Sequence, residues 1–422
     1  MKASLFVIFV SAAVICSDCS PSKNVHATMT EDNELVSTLK QNAQYFDSIL
    51  LRKDELRLQI IYTQIDRDKN NQPSFTEFFF NVNGNNYFYP ASTVKLPVAI
   101  LALQKLNELA IPGLDKNTSM LTGADGDKQT AVSNDSSAAD ARPTIAHYIK
   151  KILLVSDNDA FNRLYEFLGQ EYINNNLHRM GYTDIEIVHR LSISLTDEQN
   201  RRTNPIQFVD RDNKVLYEQP AQVSKWVSAE RNIKMGKGYI QGDSLINEPF
   251  DFSRKNRMSL KSLHDIERAI LFPDATPAAQ RFHLTNEDYD FLRRYMSMRP
   301  GESVSPVYPA PEYWDNYVKM IYYGSEKTAP DAGIRIFNKT GTAYGFLIDA
   351  AYVADYANNI EFMLSAVIYC NSDGVFNDDK YDYDTIGYPF LKHLGRAVYD
   401  HELKRKRKYK PDLSSMRFDY GR

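Results

Sequence analysis

Ser92 and Lys95 stand three residues apart in Phe88-Tyr89-Pro90-Ala91-Ser92-Thr93-Val94-Lys95, directly before an apolar run from Leu96 to Leu106. On a helix that spacing puts hydroxyl and amine on one face, within reach of each other. A serine hydroxyl is a weak nucleophile until a base takes its proton, and a lysine can be that base only when neutral. Bringing a lysine from about 10.4 to near 7 costs roughly 4 to 5 kcal/mol, which demands burial and a second cation close by. The rest of the chain must supply both. The spacing alone decides little, because Ser20-Pro21-Ser22-Lys23 repeats it.

The chain has 422 residues, 43% hydrophobic and 25% charged, which describes a globular protein of one large domain with insertions or of two domains. A net charge of -4 argues against a general nucleic-acid binder, and the aromatic content (27 Tyr, 22 Phe) fits an ordinary core. Lys2 followed by apolar residues from Leu5 to Ile15 has the form of a secretory signal, too short to span a bilayer. Export is therefore expected, to the periplasm or to a membrane surface. Cys16 and Cys19 follow at once, so a lipid anchor through either is one expectation and plain secretion the other. Ile15 and Asp18 stand where lipidation favours a small residue. Only Cys370 remains, in an apolar run, so it reads as a buried thiol and no disulfide framework is expected.

The elements that must position these residues follow in order. Residues 1–19 read as the signal and 20–32 as a polar tether. A helical pattern spans Asn33 to Leu51, and Leu56–Ile65 with Phe75–Val82 forms a hairpin. The Ser92 helix comes next, with Pro97 in its first two turns predicting a tight or distorted start. A loop-like stretch reaches Arg142. Pro143–Val155 is an amphipathic helix ending in Ser156-Asp157-Asn158, and a second helix runs from Asp159 to Leu168 with Gly169 as its stop. Residues 192–257 read as an insertion of short strands and loops. Helices are predicted at Ser259–Leu271 and Asn286–Met298, then strands at Ile334–Asn338, Phe346–Ala354 and Ile360–Tyr369. A last helix from Tyr388 to Leu403 closes the domain, taken as 33–403, and the basic residues that open the 404–422 tail read as a solvated helix end. Gly236-Lys237-Gly238 misses the spacing of a phosphate loop.

Three motifs thus stand in order: Ser92-x-x-Lys95, Ser156-Asp157-Asn158 and Lys339-Thr340-Gly341. This set resembles that of the serine β-lactamase and penicillin-binding protein superfamily, of class A β-lactamase type. Asn162 also matches the family pattern, although Asp159 replaces its threonine. The resemblance implies an α+β fold, with an antiparallel sheet flanked by helices and an all-helical subdomain (about 96–335) carrying S-D-N. It implies a serine hydrolase in which Ser92 forms an acyl-enzyme and Lys95 is the candidate base. Lys339 would be the second cation and would hold the substrate carboxylate with Thr340 and Thr342. Ser156 would relay a proton to the leaving nitrogen, and Asn158 would bind the substrate amide. The N–H groups of Ser92 and Thr342 would form the oxyanion hole, and Gly341 would leave room for substrate along the strand. No cofactor or metal is implied. The small-molecule substrate would be a β-lactam or a peptidoglycan-like peptide.

One departure bears on function. Class A enzymes release the acyl group with a glutamate in the pattern E-x-x-L-N, and no such pattern lies between S-D-N and K-T-G. Glu186, Glu198, Glu218, Glu230 and Glu248 all lack it. Aligning His189-Arg190 with the family's Asp-Arg puts Ser192 at the glutamate position, leaving Glu198 or another acid of the insertion to reach the site. The readings are a β-lactamase, a DD-peptidase that β-lactams inhibit, and a sensor that acylates once. A zinc β-lactamase is disfavoured because no His-x-His pair occurs, and the absence of G-x-S-x-G counts against an α/β-hydrolase.

Overall fold

The computed structural model describes residues 25–28 and 33–421. Its centre is a sheet of β1 (Val25–Thr28), β2 (Gln59–Arg67), β3 (Pro73–Phe80), β11 (Ile334–Ala343), β12 (Phe346–Asp355) and β13 (Ile360–Tyr369). The order is β1-β3-β2-β13-β12-β11; β1 runs parallel to β3 and the other pairs are antiparallel. β12 and β13 are buried on both faces, which is why they read as long apolar runs. On one face Leu347, Ala351 and Val353 meet α1 (Glu34–Gln41), α2 (Ala43–Leu51) and α10 (Tyr388–Lys404); on the other Ile348, Ala350 and Tyr352 join the larger core.

That larger core surrounds α3 (Lys95–Leu109), whose residues Lys95 to Gln104 are all buried, so it is apolar nearly all round. α4 (Ile145–Val155) and α5 (Asn158–Arg179) pack on it, and α7 (Leu260–Leu271) and α8 (Asn286–Ser297) complete the layer. α5 continues past the predicted stop, because Gly169 adopts φ 73 and kinks the helix without ending it. The part expected to be all-helical also holds short strands. β4 (Ser119–Thr122) falls in the predicted loop and pairs with β5 (Ile206–Val209), which pairs in turn with β6 (Val215–Gln219). The insertion adds α6 (Asp197–Arg201), β7 (Lys234–Met235), β8 (Gly238–Gln241), β9 (Ser244–Ile246) and β10 (Phe250–Asp251), with β8 also joined by β14 (Val375–Phe376). Phe250 and Phe252 anchor it on Tyr344 and Phe376 at ring separations of 5.2 to 5.6 Å.

Three further expectations concern the ends of the chain. The signal and both lipidation cysteines lie outside the described residues. Part of the expected tether is a fold element, since Val25–Thr28 is the edge strand β1. The basic run is solvated in part: Lys404, Lys406 and Lys408 are exposed, but the Arg405 guanidinium reaches Asp66 at 2.5 Å and Glu402 at 2.8 Å, and Arg407 pairs with Glu402, a carboxylate buried beneath the helix end. Beyond it Leu413 and Met416 are buried and Tyr420 lies under Arg335 at 4.1 Å. Cys370, as its apolar run suggested, is buried and free, its thiol pushed up to about 12 by burial.

Candidate active site

The Ser92 turn is tighter than an α-helix. Ala91–Val94 forms a 3-10 turn opened by Ala91 at φ 49, and the Thr93 N–H and hydroxyl both donate to the Pro90 carbonyl, at 3.0 and 2.6 Å. Lys95 then starts α3, so Pro97 falls in the first turn, where its missing N–H costs nothing. Ser92 stays half-exposed while Lys95 is fully buried.

Ser156 is the left-handed C-cap of α4 (φ 61), and Asp157 caps α5 by accepting the Ala160 N–H at 2.8 Å. This two-residue break between helices aims Ser156 and Asn158 at Lys95. Lys95 Nζ donates to the Ser156 carbonyl and lies 2.7 Å from Asn158 Oδ1 and 3.2 Å from Ser156 Oγ. Lys339 Nζ reaches the same Ser156 Oγ at 2.8 Å and the Thr340 carbonyl at 2.8 Å. Ser156 Oγ therefore bridges two buried lysines. Among the described residues no hydrogen bond joins Lys95 to Ser92, so in this resting geometry the amine is turned to Ser156 and Asn158.

Charge follows geometry. Burial and the Lys339 cation hold Lys95 well below the usual lysine range. Burial lowers Lys339 itself to about 7, against the upward pull of Asp349. Asp349, raised to about 7 by burial, lies across the strands from Thr340 and takes hydrogen bonds from the Ile321 N–H (2.8 Å) and Asn338 Nδ2 (2.8 Å). Asn338 Oδ1 in turn accepts from buried Lys319 at 2.8 Å. A packed polar network thus stands behind the strand that carries Lys339, and a lone carboxylate in the apolar run Phe346–Ala354 was its sequence signal.

The K-T-G residues sit inside β11, which pairs with β12 as far as Ala343, five residues beyond the predicted strand end. Gly341 borders the cleft, but its missing side chain makes room for the Ser92 turn and not for substrate. A Cβ there would lie 2.8 Å from the Pro90 carbonyl oxygen, 3.0 Å from Thr93 Cγ2 and 3.2 Å from Ala91 Cβ. The close approach seats the nucleophile turn on the strand.

Ser92, Ser156, Asn158, Thr340, Gly341 and Thr342 line one cleft of about 600 Å³. Asn162 clamps its edge by bonding the Leu191 carbonyl at 3.0 Å and N–H at 2.9 Å. The next residue, Ser192 (φ 54), accepts from Asn158 Nδ2 at 2.8 Å. Arg190 is held by the buried Glu166, also paired with Arg163, at 3.0 Å in each case. None of the insertion's glutamates lines the cleft, and Glu198 is spent on Arg202 at the surface, 2.8 Å away. Among the described residues the one carboxylate that lines it is Asp384, which no motif announces.

Residues 43–224 match the family model described as the β-lactamase enzyme family. The matched stretch is less than half of the chain and carries Ser92, Lys95, Ser156 and Asn158. Among solved structures the chain is similar to PBP-A (15% identity, TM-score 0.47, 89% of this chain and 98% of the other). A β-lactamase from Burkholderia phymatum gives 15%, 0.46, 86% and 97%, and one from Sphaerobacter thermophilus gives 13%, 0.45, 87% and 97%. No curated protein sequence matches. The position that the His189-Arg190 alignment assigns to the releasing glutamate of class A enzymes lies beside Asn158, and in this chain it holds the hydroxyl of Ser192.

Proposed function

We propose that this chain is a serine hydrolase of the β-lactamase and penicillin-binding protein superfamily, acting through an acyl-enzyme on Ser92 formed from a β-lactam or a peptide-like amide in the manner of class A enzymes. The observation that carries the proposal is Ser156 Oγ between Lys95 and Lys339 at the floor of the Ser92 cleft. Neutral Lys95 takes the Ser92 proton as Oγ bonds to the carbonyl carbon, with the Ser92 and Thr342 N–H groups receiving the oxyanion. As the C–N bond breaks, Ser156 gives its proton to the leaving nitrogen and regains one from Lys95. Charged Lys339, with Thr340 and Thr342, holds the substrate carboxylate, and Asn158 holds the acyl-side amide.

The hydroxyl at Ser192 favours a DD-peptidase reading over an efficient β-lactamase, because an alcohol cannot serve as the base that activates water. A penicillin should therefore load the protein and leave slowly. Intact-mass spectrometry over time is the test: one acyl adduct per chain in the wild type, none in Ser92→Ala. Labelling retained in Ser92→Ala would remove the assignment. Rapid return to native mass with turnover of a chromogenic cephalosporin would restore the β-lactamase reading.

A pH profile tests the charge assignment. Lys339 must be protonated to hold the carboxylate and to keep Lys95 neutral, and it loses that proton as pH rises through about 7. Asp349 is the anion that favours its charged form. Asp349→Asn should then lower the Lys339 pKa and move the alkaline limb of the second-order acylation rate to lower pH. An unmoved limb would separate Asp349 from the site.

Export, with attachment through Cys16 or Cys19 or as a free protein, is part of the proposal and rests on the apolar run behind Lys2. Growth with a clickable fatty-acid analogue and N-terminal sequencing of the mature protein decide it; an intact Met1 start in the cytosolic fraction would refute it.

A further inference from the structure

The cleft continues past Thr342 to a wall made by Trp314, Tyr317, Lys327, Asp384 and Tyr388. The wall is built rather than draped. Tyr308, Tyr313 and Tyr317 stack edgewise in series at 5.0 and 5.2 Å, and Trp314 meets Tyr317 at 4.9 Å. Buried Asn316 closes the segment on itself by donating to the Thr328 carbonyl at 2.9 Å. Lys327 Nζ sits 4.7 Å over the Trp314 ring. Across from it, Asp384 rides on the π-turn Tyr383–Gly387, which is pinned by the Gly345 N–H on Tyr383 Oη (2.8 Å) and the Ser372 N–H on Asp382 (2.9 Å).

Two kinds of unmet demand coexist there. Neither Lys327 nor Asp384 has an oppositely charged partner among the described residues, and they do not pair with each other. Trp314 Nε1 is buried without a hydrogen-bond partner, and the Thr342 hydroxyl has Tyr388 alone beside it. Donors therefore gather at Thr342, Trp314 and Lys327, while a single acceptor carboxylate lies beside the Tyr388 end. An apolar substituent would leave Trp314 Nε1 unsatisfied and would cover Lys327 and Asp384, two charges that solvent now reaches, and a simple anion would leave Asp384 facing like charge.

Direction comes from the acylation reading, on which this inference rests. Asn158 takes the acyl side of the substrate and Ser156 the leaving nitrogen, so the leaving half extends along Thr340–Thr342 toward this wall. We infer that the wall receives a leaving half bearing a carboxylate and, further out, a cationic group, as in an amide whose amine belongs to a diamino acid. The carboxylate held by Lys339, Thr340 and Thr342 also faces Lys327; the cation meets Asp384 and the faces of Tyr317 and Tyr388.

The test uses the full-length mature protein and two carboxylate-bearing cephalosporins that differ only in the substituent on the leaving side, one carrying a quaternary ammonium and one neutral. Second-order acylation rates are read by intact mass. The wild type should prefer the cationic compound by roughly threefold to tenfold. Asp384→Asn should erase that ratio and Asp384→Lys should invert it, whereas Lys327→Gln should slow both compounds without lowering the ratio. The same ratio in wild type and both Asp384 variants would overturn the subsite alone. Failure of either compound to label Ser92 would remove the acylation reading, and the subsite with it.

Discussion

Lys95→Ala should slow acylation of Ser92 by about two to four orders of magnitude, the range that a positioned general base contributes. Electrostatics matters here before geometry does. Burial of Lys95 and the Lys339 cation beside it both disfavour the charged amine, and a neutral amine accepts a proton where a charged one cannot. In the resting geometry that amine is engaged with Ser156 and Asn158. Substrate in the cleft competes for Asn158 and frees Nζ for the Ser92 proton; catalytic hydrogen bonds often tighten only in the substrate complex. Truncation also strips the donor from Asn158 Oδ1 and the Ser156 carbonyl, so a stability loss of about 1 to 3 kcal/mol accompanies it. Lys95→Arg separates base from cation: guanidinium keeps a charge but cannot give up its proton. Stopped-flow acylation with a reporter penicillin, on variants whose folding is checked by circular dichroism, should find Arg as inactive as Ala. Rescue by Arg would make Lys95 a mere cation.

How much of this was legible in the sequence depends on where each signal lives. β12 and β13 declared themselves because burial on both faces leaves almost no polar interruption. β11 was cut short at Asn338, since Lys339, Thr340 and Gly341 carry little strand signal, yet ladder pairing with β12 continues through them. The S-x-x-K spacing suggested one helical face; the structure puts Ser92 on a 3-10 turn and sends Lys95 to other partners. Gly341 was read toward substrate because the close approach of the Ser92 turn is a tertiary fact that local pattern cannot contain. The same holds for Arg405 and Arg407, which look like a solvated charge run until Asp66 and the buried Glu402 are seen beneath them. Trp314, Lys327 and Asp384 share a cleft only through the fold, since up to 70 residues separate them along the chain. Asp349 went unread although it is an isolated charge in an apolar strand, and its partners Asn338 and Ile321 are set by the fold.

Ser192→Glu should shorten the lifetime of the penicillin adduct by about two orders of magnitude or more while leaving its formation little changed. Release of the ester requires a water made nucleophilic by a base, and the side chain at this place is within hydrogen-bonding distance of Asn158, which also binds Lys95. A glutamate here reaches the same neighbourhood with a carboxylate, a group that can take a proton from water. The backbone already tolerates a non-glycine residue at φ 54, so the substitution adds no new left-handed strain. Asn162 holds Leu191 from both sides of its peptide, and Arg190 is fixed by Glu166, so the new side chain starts from an anchored point. Adduct formed with a penicillin, freed of excess reagent and followed by intact mass gives the rate directly. If the adduct on the glutamate variant lasts as long as on the wild type, position 192 does not address the attacking water. The slow step would then lie in access or in orientation of the ester. If the lifetime falls, the chemistry of release in this protein is set by one side chain, and the native hydroxyl is what keeps a β-lactam bound.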